Sequence, residues 1–384
     1  MDFDLTSEQE LLRRTVREFA EGEIAPRAAE LNAKEEFSCE LTRAMGELGL
    51  FGVTVSPEYG GQGLDYLSYI IAVEELARVD GSHAATVAAE NSLGIGPLYY
   101  YGTEAQKRRY LPDLCSGKAL WGFGLTEPSA GSDAGGTKTT ARLDGDQWIV
   151  NGGKTFITNG GSPMTLGATV QCVTDTGPDG KKEYSCILVE HGTPGFTTRT
   201  MHGKLVWRAS NTAELFFDDV SVSRENTLGD RGSGFHLMLE TLDSGRLSIA
   251  AMGVGGAQGA YEAALAYARE RQQFGTPIGQ FQANAFKLAD MATEIELVRN
   301  LLYKACWLRD QGRPFRKEAA MAKLWSSEVM HRVTHAAVQL HGGYGLMEEY
   351  PVARFYRDQR LLEIGEGTSE VQRLVISRLI GCYD

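Results

Sequence analysis

Glu366 is the residue of this sequence whose surroundings best suit proton transfer. It lies between Gly365 and Gly367, in a run that continues with Thr368 and Ser369, either of which can cap a following helix. Flanking glycines let the backbone approach another molecule closely. A carboxyl group on such a loop, held against apolar helices, can have a raised pKa that suits a general base. On spacing alone, an ordinary exposed loop acid is the simpler interpretation.

A second stretch, Phe123–Asp133 (FGLTEPSAGSD), combines glycines and hydroxyl side chains with almost no positive charge. Exposed backbone N–H groups of this kind can cradle a phosphate or bind the edge of a heterocycle. A structural loop between two domains would have the same composition, so both interpretations stay open at this point.

Other familiar motifs are incomplete. The run 153–155 (GKT) ends like a P-loop but lacks its first glycine, and the run 253–255 (GVG) lacks the third glycine of a dinucleotide fingerprint. No serine lies in a G-x-S-x-G elbow. His331, His335 and His341 form no H-E-x-x-H motif, and structural roles are favoured for them. We therefore predict no metal site.

Composition limits the classes of partner. The 384 residues include 38 basic and 50 acidic side chains, which gives a formal net charge of −12. This balance argues against nucleic acid and anionic lipid as main partners. The most apolar stretch, Ile249–Ala268, contains Gln258 and Glu262 and falls short of a membrane span.

The six cysteines include no C-x-x-C pair, which is typical of a reducing compartment. The first ten residues contain Asp2, Asp4, Glu8 and Glu10, and this pattern fits neither a secretory signal nor an Arg-rich transit peptide. We therefore expect a cytoplasmic protein in a bacterium, or a mitochondrial-matrix protein whose transit peptide has been removed.

The elements that must position these residues fall into three regions, which predicts an α+β multidomain protein. Residues 1–118 are expected to form a helical domain, with Ser7 capping the first helix and Thr103 forming a capping box with Gln106. The later helices of this domain are predicted at 39–48, 66–79, 84–101 and 104–111.

Residues 119–230 contain short β segments separated by glycine turns, which indicates a small sandwich or barrel. The run 151–153 (NGG) is predicted as one turn of this domain and the run 159–161 (NGG) as the next. Residues 231–384 have long amphipathic segments at 235–272, 280–311, 314–342 and 369–379, which indicate a helix bundle. Gly255 and Gly259 are expected to allow close contact between helices.

Seven ordered motifs give the sequence a resemblance to the acyl-CoA dehydrogenase family, and it covers essentially the whole chain. The motifs are Pro57–Gly63 (PEYGGQG), Leu125–Asp133 (LTEPSAGSD), Asn151–Asn159 (NGGKTFITN), Arg269–Gly275 (RERQQFG), Gln339–Gly345 (QLHGGYG), Tyr356–Asp358 (YRD) and Glu366–Gln372 (EGTSEVQ). The resemblance implies N-terminal helices, a middle β-sandwich or barrel domain and a C-terminal four-helix bundle, assembled as a homotetramer.

The resemblance also implies FAD as the cofactor. Residues implied to lie at the flavin ring are Phe123, Leu125, Thr126, Phe156 and Thr158, with Ser132 at a phosphate of the flavin or of CoA. Residues implied to hold the FAD of a neighbouring subunit are Arg271, Phe274, Gln282, Gln339, Leu340, Gly342 and Gly343. Thr368 and Glu370 are implied to lie near the diphosphate and adenosine.

By the same resemblance Glu366 is the catalytic base. It removes the α-proton of an acyl-CoA thioester while the β-hydrogen leaves as hydride to flavin N5. The Glu366 N–H and a flavin ribityl hydroxyl are the implied donors to the thioester oxygen. Residues implied to line the acyl-CoA channel are Asp243, Ser244, Gly245, Arg246, Gly365 and Gly367. A minority branch of the family has its base at the position of Gly245, so this chain resembles the majority.

Three positions invite separate predictions. Gly365 stands where the family usually has a bulky residue, so a branched, cyclic or otherwise bulky acyl group is expected. Phe156 replaces the usual Trp, which keeps an aromatic face but loses the indole N–H. Glu90 lies in a small apolar segment that lines the acyl end of the pocket in relatives. It is either a second acid–base or polar recognition group there, or a helix acid without such a role, and the latter is favoured.

The expected function is FAD-dependent α,β-dehydrogenation of a short, branched or bulky acyl-CoA to the trans-2-enoyl-CoA, with electron-transfer flavoprotein as acceptor. A cyclic (cyclohexanecarboxyl-type) or dicarboxylic (glutaryl-type) acyl-CoA dehydrogenase is the alternative within the enzyme class. A non-catalytic flavin- or CoA-binding relative, and a flavin oxidase or monooxygenase, are alternatives from other classes. Glu366 argues against a non-catalytic role, because a scaffold needs no carboxylate there.

Overall fold

The computed structural model describes residues 4–383. Residues 1–3, which include Asp2 of the acidic N-terminal run, and residue 384 lie outside the described residues. The helices of the N-terminal region are α1 (Ser7–Phe19), α2 (Ala25–Lys34), α3 (Cys39–Glu47), α4 (Tyr66–Ala77), α5 (Gly81–Ala89), α6 (Gly96–Tyr101) and α7 (Glu104–Cys115).

The cap of α1 differs from the prediction, because it is Thr6 and not Ser7. The Gln9 N–H donates to Thr6 Oγ1 at 3.2 Å, and the Thr6 N–H donates to Gln9 Oε1 at 3.0 Å. Gln9 Nε2 also donates to Asp65 at 2.8 Å. This tertiary contact favours the register in which Thr6 and Gln9 form the capping box.

The predicted helix over residues 84–101 is divided in the structure. A π-helical segment, Glu90–Ile95, separates α5 from α6. π-Helical segments are wider than an α-helix and often occur at functional sites. The predicted capping box of Thr103 and Gln106 on α7 is confirmed.

The middle region forms a sheet of eight strands, which are β1 (Leu120–Gly124), β2 (Thr140–Asp144), β3 (Gln147–Thr158), β4 (Thr165–Thr176), β5 (Lys182–Glu190), β6 (Phe196–Thr200), β7 (Thr212–Ser223) and β8 (Thr227–Leu228). Their order in the sheet is β6-β7-β3-β2-β4-β5-β8, and β1 pairs parallel with β4. Only the pair Thr140 and Val173 joins β2 to β4. One apolar cluster takes side chains from both halves, such as Trp148 and Ile187, as the sandwich or barrel prediction requires.

The predicted turn at Asn151-Gly152-Gly153 is wrong, because β3 continues through it. The register against β7 shifts between Val150 and Gly152, which marks a bulge. Gly152 has φ 138°, and a Cβ there would meet Thr139 at 2.7 Å. A single long strand therefore carries Lys154, Phe156 and Thr158. The next predicted turn, at 159–161, is confirmed, since β3 ends at Thr158.

The C-terminal region is a helix bundle, as predicted. Its elements are α8 (Gly234–Glu270), a hairpin of β9 (Gln272–Gln273) and β10 (Thr276–Pro277), α9 (Gln282–Asp310), α10 (Arg316–His341), α11 (Pro351–Leu362) and α12 (Ser369–Leu379). The helix α11 was not predicted from the sequence. It ends immediately before the turn that holds Glu366.

The helix α8 passes through the centre of the molecule and contacts α4 closely. A Cβ at Gly255 would overlap the carbonyl oxygen of Glu74, and a Cβ at Gly259 would overlap that of Arg78. The two glycines therefore allow the close helix contact expected of them. Among the described helices, none combines the length and apolar character needed to cross a membrane.

Candidate active site

Glu366 lies in the turn between α11 and α12, in a left-handed backbone conformation. Its φ is 51°, and φ of Gly367 is 91°. For a residue other than glycine this conformation costs about 1–3 kcal/mol and persists only where the surroundings hold it. Gln372 Nε2 donates to the carbonyl oxygens of Glu366 (3.2 Å) and Gly367 (3.0 Å), and Lys323 Nζ donates to that of Gly367 at 2.6 Å. These side chains hold the turn.

The carboxylate of Glu366 is set up to accept a proton. Its Oε2 atom is enclosed and has no hydrogen-bond partner. A Cβ added at Gly245 would overlap this atom, so the glycine on α8 leaves room for the carboxylate. Burial raises the pKa of Glu366 to about 7, against the opposing effects of Lys323 and Arg246. A base with this pKa is matched to work near neutral pH.

The predicted channel segment of α8 is held in place on both sides of Gly245. The Asp243 carboxylate pairs with Arg246 and also with Arg316, the latter at 2.7 Å. The carbonyl oxygen of Ser244 accepts a hydrogen bond from the Tyr66 hydroxyl at 2.8 Å. Arg246 is buried and its charge acts on Glu366, so the structure brings this part of the predicted site to the base.

Gly365, Thr368 and Glu370 flank the base along the chain. A Cβ at Gly365 would lie 2.9 Å from Cδ2 of Leu361, which is the end of a flexible side chain. Thr368 Oγ1 accepts from the Val371 N–H at 3.3 Å and caps α12, which confirms one of the two predicted caps. Glu370 is exposed on the first turn of α12.

The stretch Phe123–Asp133, predicted as a loop, begins within β1, because Phe123 and Gly124 are the last two residues of that strand, and the loop itself starts at Leu125 and lies beside β3. Phe123 and Leu125 are buried, Thr126 is half-buried and Ser132 is exposed. The Thr126 carbonyl oxygen accepts from the Thr155 N–H at 2.9 Å. The loop is therefore tied to the strand that carries the other residues predicted to lie at the flavin.

A buried ion pair between Lys154 and Glu127 supports this loop. Lys154 Nζ lies 2.8 Å from Glu127 Oε1 and donates to the Leu125 carbonyl oxygen at 3.2 Å. The carboxylate of Glu127 also accepts from the N–H groups of Lys138 (2.8 Å) and Thr139 (3.0 Å). Burial opposes ionisation of Glu127, but hydrogen bonding and charge from Lys154 lower the pKa of this carboxyl below its ordinary value. The pair thus connects the first part of the loop to the segment at Lys138 and Thr139 that follows it.

Phe156 presents an aromatic face to the outside. Its side chain is 65% exposed, its φ is 59°, and its neighbours Thr155 and Ile157 are buried. Thr158, two residues further along β3, is half-buried. An exposed aromatic ring in an uncommon backbone conformation is suited to cover a planar ligand.

The remaining predicted cofactor residues lie on another face of the chain. An open cleft of about 540 Å³ is lined by Arg271, Leu340, Gly342 and Gly343, together with Tyr344. Three other predicted cofactor residues, at the hairpin and at helix ends, are also exposed. They are Phe274 (94% exposed), Gln282 and Gln339. Among the described residues, no hydrogen bond joins this set to Glu366, whose carbonyl oxygen is bound by Gln372. The role of this set toward a neighbouring subunit stays a prediction.

Glu90 is a buried acid with a different set of contacts. Glu90 Oε2 accepts from the Trp121 N–H at 3.0 Å and from Asn159 Nδ2 at 3.3 Å, while Oε1 has no partner. Burial raises its pKa to about 8. Because Trp121 is on β1 and Asn159 follows β3, Glu90 connects the π-helical segment to the sheet. These contacts favour the structural interpretation of Glu90 over a role in the acyl pocket.

The three histidines of α10 have separate surroundings. His331 lies 3.4 Å from Glu363, His335 faces the ring of Tyr356, and the His341 ring bonds the carbonyl oxygen of Ala337 at 2.8 Å. In the described part of the chain, no group of three or more His, Cys, Asp or Glu side chains is arranged to hold a metal ion.

Sequence reasoning did not single out four residues that the structure places around the site. Lys154 and Glu127 lie within two of the family motifs, and their pairing depends on the tertiary structure. Lys323 is a cation within the apolar run 319–325 (AAMAKLW). A charged residue in such a run is the sequence feature that could have identified it. Gln372 ends the motif that begins at Glu366, and its contacts appear only when α12 turns back on the loop.

Three family models match the chain in order. They are the acyl-CoA dehydrogenase N-terminal domain over residues 6–118, the middle domain over 122–220 and the C-terminal domain over 232–381. The chain belongs to the acyl-CoA dehydrogenase family. The predicted resemblance and the order of the domains are thereby confirmed.

Individual relatives match over nearly their full length. A short-chain specific acyl-CoA dehydrogenase of Clostridium acetobutylicum is 48% identical to this chain. The match covers 98% of this chain and 99% of the relative. The solved butyryl-CoA dehydrogenase of Megasphaera elsdenii has a TM-score of 0.95 at 43% identity, with 99% of this chain and 100% of that one covered. A structure described for the electron transferring flavoprotein of Acidaminococcus fermentans has a TM-score of 0.96 at 45% identity, with 99% and 100% covered.

As a family member, the protein is a flavin-dependent oxidoreductase that dehydrogenates acyl-CoA thioesters, with FAD as cofactor. The residues present fit this cofactor. Phe156 offers an exposed aromatic face, the Phe123–Asp133 loop offers backbone groups and hydroxyls at its side, and the buried pair of Lys154 and Glu127 fixes that loop. These predicted positions suit a flavin ring, although each individual contact stays a prediction.

Proposed function

We propose that Glu366 is the base that removes the α-proton of a short or branched acyl-CoA thioester. The observation that supports this most directly is the enclosed Oε2 atom, which has no protein partner and faces Gly245. An enclosed carboxylate without a partner is costly unless a ligand completes its interactions. Its pKa of about 7 gives a useful fraction of the proton-accepting form at neutral pH.

The turn around Glu366 also supplies a donor. No hydrogen bond within the described chain engages the Glu366 N–H, so this group is available to the thioester oxygen. A fixed N–H aimed at the carbonyl oxygen stabilises the negative charge that develops there as the α-proton leaves. When bound, FAD supplies the acceptor for the hydride that departs from the β-carbon. The chain itself positions the thioester, takes the proton and encloses the carboxylate.

We infer that the acyl group is short and can be branched. Two of the similar proteins described above are named as a short-chain specific acyl-CoA dehydrogenase and a butyryl-CoA dehydrogenase. In this chain Tyr69 is buried close to Glu366, and its hydroxyl donates to the Ala88 carbonyl oxygen at 2.7 Å. We expect this fixed ring to limit the space for the acyl group near the base. The three atoms nearest to a Cβ at Gly365 all belong to Leu361, and the nearest is the end of its flexible side chain, so we expect this side of the base to admit a branch.

We expect Gly365→Tyr to change selectivity between acyl groups. The new side chain must displace Leu361 and fill the space that a branch at the α-carbon requires, so kcat/KM for isobutyryl- and 2-methylbutyryl-CoA should fall relative to butyryl-CoA by about ten-fold. Gly365→Ala, which adds only the Cβ, is the matched control and should have a smaller effect. Equal changes for straight and branched substrates in the Tyr variant would contradict the proposed role of Gly365.

The pH dependence should report the ionisation of Glu366. Because the base must be unprotonated in the free enzyme, kcat/KM should be constant at high pH and fall about ten-fold per unit well below pH 7. Flavin reduction measured by stopped flow between pH 5.5 and about 9.5 checks this. An acid limb with a pKa near that of an ordinary glutamate would show that burial does not control the base.

The test of the proposal is an anaerobic titration of the FAD-loaded protein with butyryl-, isobutyryl-, 2-methylbutyryl-, glutaryl- and cyclohexanecarboxyl-CoA. Loss of flavin absorbance identifies the substrate class. A preference for glutaryl-CoA or for the cyclic acyl group would replace our proposal with one of the two alternatives. Stable flavin absorbance with all five would favour a non-catalytic binding protein, and rapid reoxidation by O₂ would favour an oxidase.

We further propose electron-transfer flavoprotein as the acceptor and a homotetramer as the assembly. The similarity to the chain described with an electron transferring flavoprotein supports the first. The exposed Phe274 and the cleft at Gly342 and Gly343 support the second, since a neighbouring subunit would cover them. Six free cysteines support a reducing compartment, such as the bacterial cytoplasm or the mitochondrial matrix.

A further inference from the structure

Lys323 is a buried cation whose charge no carboxylate neutralises by direct contact. Its side chain is fully buried on α10, and Nζ donates to the carbonyl oxygen of Gly367 at 2.6 Å. Among the described residues, no carboxylate oxygen lies within 4.0 Å of its Nζ atom. An isolated ammonium in such a place is costly. Burial lowers the pKa of Lys323 to about 8, and Glu366 has the strongest opposing effect.

The carbonyl oxygen that Lys323 holds belongs to the turn that orients the base. Glu366 and Gly367 both have positive φ. Gln372, fully buried on α12, donates to the same carbonyl oxygen at 3.0 Å and to that of Glu366 at 3.2 Å. Two buried side chains from two helices therefore fix this turn. One of them is neutral, and the other brings a positive charge.

The other charged groups around Glu366 differ from Lys323. From α8, Arg246 faces the carboxylate but is paired with Asp243. From α4, Tyr69 is close, and burial raises its pKa further above neutrality, so it is uncharged. From α12, Glu370 is exposed and acts on Lys323. Lys323 is thus the cation near Glu366 whose charge is least compensated by a neighbouring carboxylate.

We propose that Lys323 is a positioning residue for the reaction. It holds the Gly367 carbonyl oxygen so that the Glu366 carboxylate is aimed at the substrate, and its charge keeps that carboxylate in the proton-accepting form. This inference rests on the proposed role of Glu366 as the base. It assigns Lys323 two separable effects, one on geometry and one on ionisation.

The decisive variant is Lys323→Met, which keeps the volume of the side chain but removes the donor and the charge. Removing a nearby positive charge disfavours the carboxylate, so the acid-limb pKa of kcat/KM should rise by about one unit. The rate of flavin reduction should then fall about ten-fold more at pH 6 than at pH 9.5. Infrared difference spectra against Glu366→Gln measure the same carboxyl pKa without turnover.

Two further variants separate the effects. Gln372→Leu removes a neutral donor from the same carbonyl oxygens, so kcat should fall while the acid-limb pKa stays unchanged. Lys204→Met removes a half-buried lysine away from this turn and should change neither quantity. Its Nζ donates to the Ser210 carbonyl oxygen at 2.6 Å and to Thr212 Oγ1 at 2.9 Å. FAD content and melting temperature establish that each variant is folded. If Lys323→Met loses FAD, Lys323→Gln carries the same test.

An unchanged acid-limb pKa in folded Lys323→Met, with Glu366→Gln inactive, would overturn the role of Lys323 and leave Glu366 as the base. Full activity of Glu366→Gln would instead overturn the proposed function itself. The two failures are therefore distinguishable in the same set of proteins.

Discussion

Glu366→Gln should lower the rate of flavin reduction by acyl-CoA about 10²- to 10⁴-fold, the range expected for loss of a general base. The amide has nearly the size and shape of the carboxylate, so the turn held by Gln372 and Lys323 should keep its geometry. What disappears is the capacity to accept the α-proton. Single-turnover stopped-flow measurements with butyryl-CoA, under anaerobic conditions, give the rate directly.

The matched control for this experiment is Glu363→Gln. Glu363 precedes the same turn, but its half-buried carboxylate pairs with the exposed side chains of His331 and Arg360, so flavin reduction should be unaffected. A second comparison uses the contact between Gly245 and the Glu366 carboxylate. Because a side chain at 245 points into the same space, the double variant Gly245→Glu, Glu366→Gly should recover part of the activity. Near wild-type reduction by Glu366→Gln alone would exclude Glu366 as the base.

The parts of the fold that local sequence determines were predictable. Long amphipathic runs predicted the bundle, and the Thr103 and Gln106 pair predicted the start of α7. At the first helix two candidate boxes overlap, since Ser7 and Glu10 have the same spacing as Thr6 and Gln9. The contact of Gln9 with Asp65 decides between them. That contact spans 56 positions in the chain, so no local pattern contains it.

The middle region shows a similar limit. The residues Asn151-Gly152-Gly153 suit a tight turn and a strand bulge equally well. Pairing of β3 with β7 on both sides of Gly152 selects the bulge. The consequence matters for the site, because Phe156 and Thr158 lie on the strand that the bulge prolongs. Sequence similarity located these residues, but only the structure shows that exposed Phe156 lies at a second register shift of β3, between Lys154 and Ile157.

The roles of buried charges were the least predictable part. The sequence around a lysine in a strand or an apolar helix does not indicate which group the lysine will bind. The free-energy cost of burying its charge is offset only by groups from other elements. Glu366 was identified as the base through the family resemblance, because the two glycines and the helix cap around it left an ordinary loop acid as the simpler interpretation. Lys323 and Lys154, which act on the Glu366 turn and on the flavin loop, became visible only through their distances to Gly367 and Glu127.

Lys154→Met should be the most destabilising single change near the flavin loop, with a loss of about 3–5 kcal/mol in the free energy of unfolding. The substitution leaves Glu127 buried without its cation, and it also removes the donor to the Leu125 carbonyl oxygen. The loop should loosen, so FAD should dissociate faster. Urea unfolding of the apoprotein measures the stability, and flavin fluorescence after dilution measures the release of FAD.

The double variant Lys154→Met, Glu127→Gln tests the cause. If the cost arises from the uncompensated carboxylate, removing that charge should restore much of the stability, even though both side chains have changed. Glu127→Gln still offers an oxygen to the N–H groups of Lys138 and Thr139, so the double variant should also retain FAD better than Lys154→Met. Arg142→Ala breaks an exposed pair with Asp144 in the same domain and should leave stability unchanged. Equal instability of the single and double variants would show that packing of the Lys154 stem, and not its charge, holds the flavin loop.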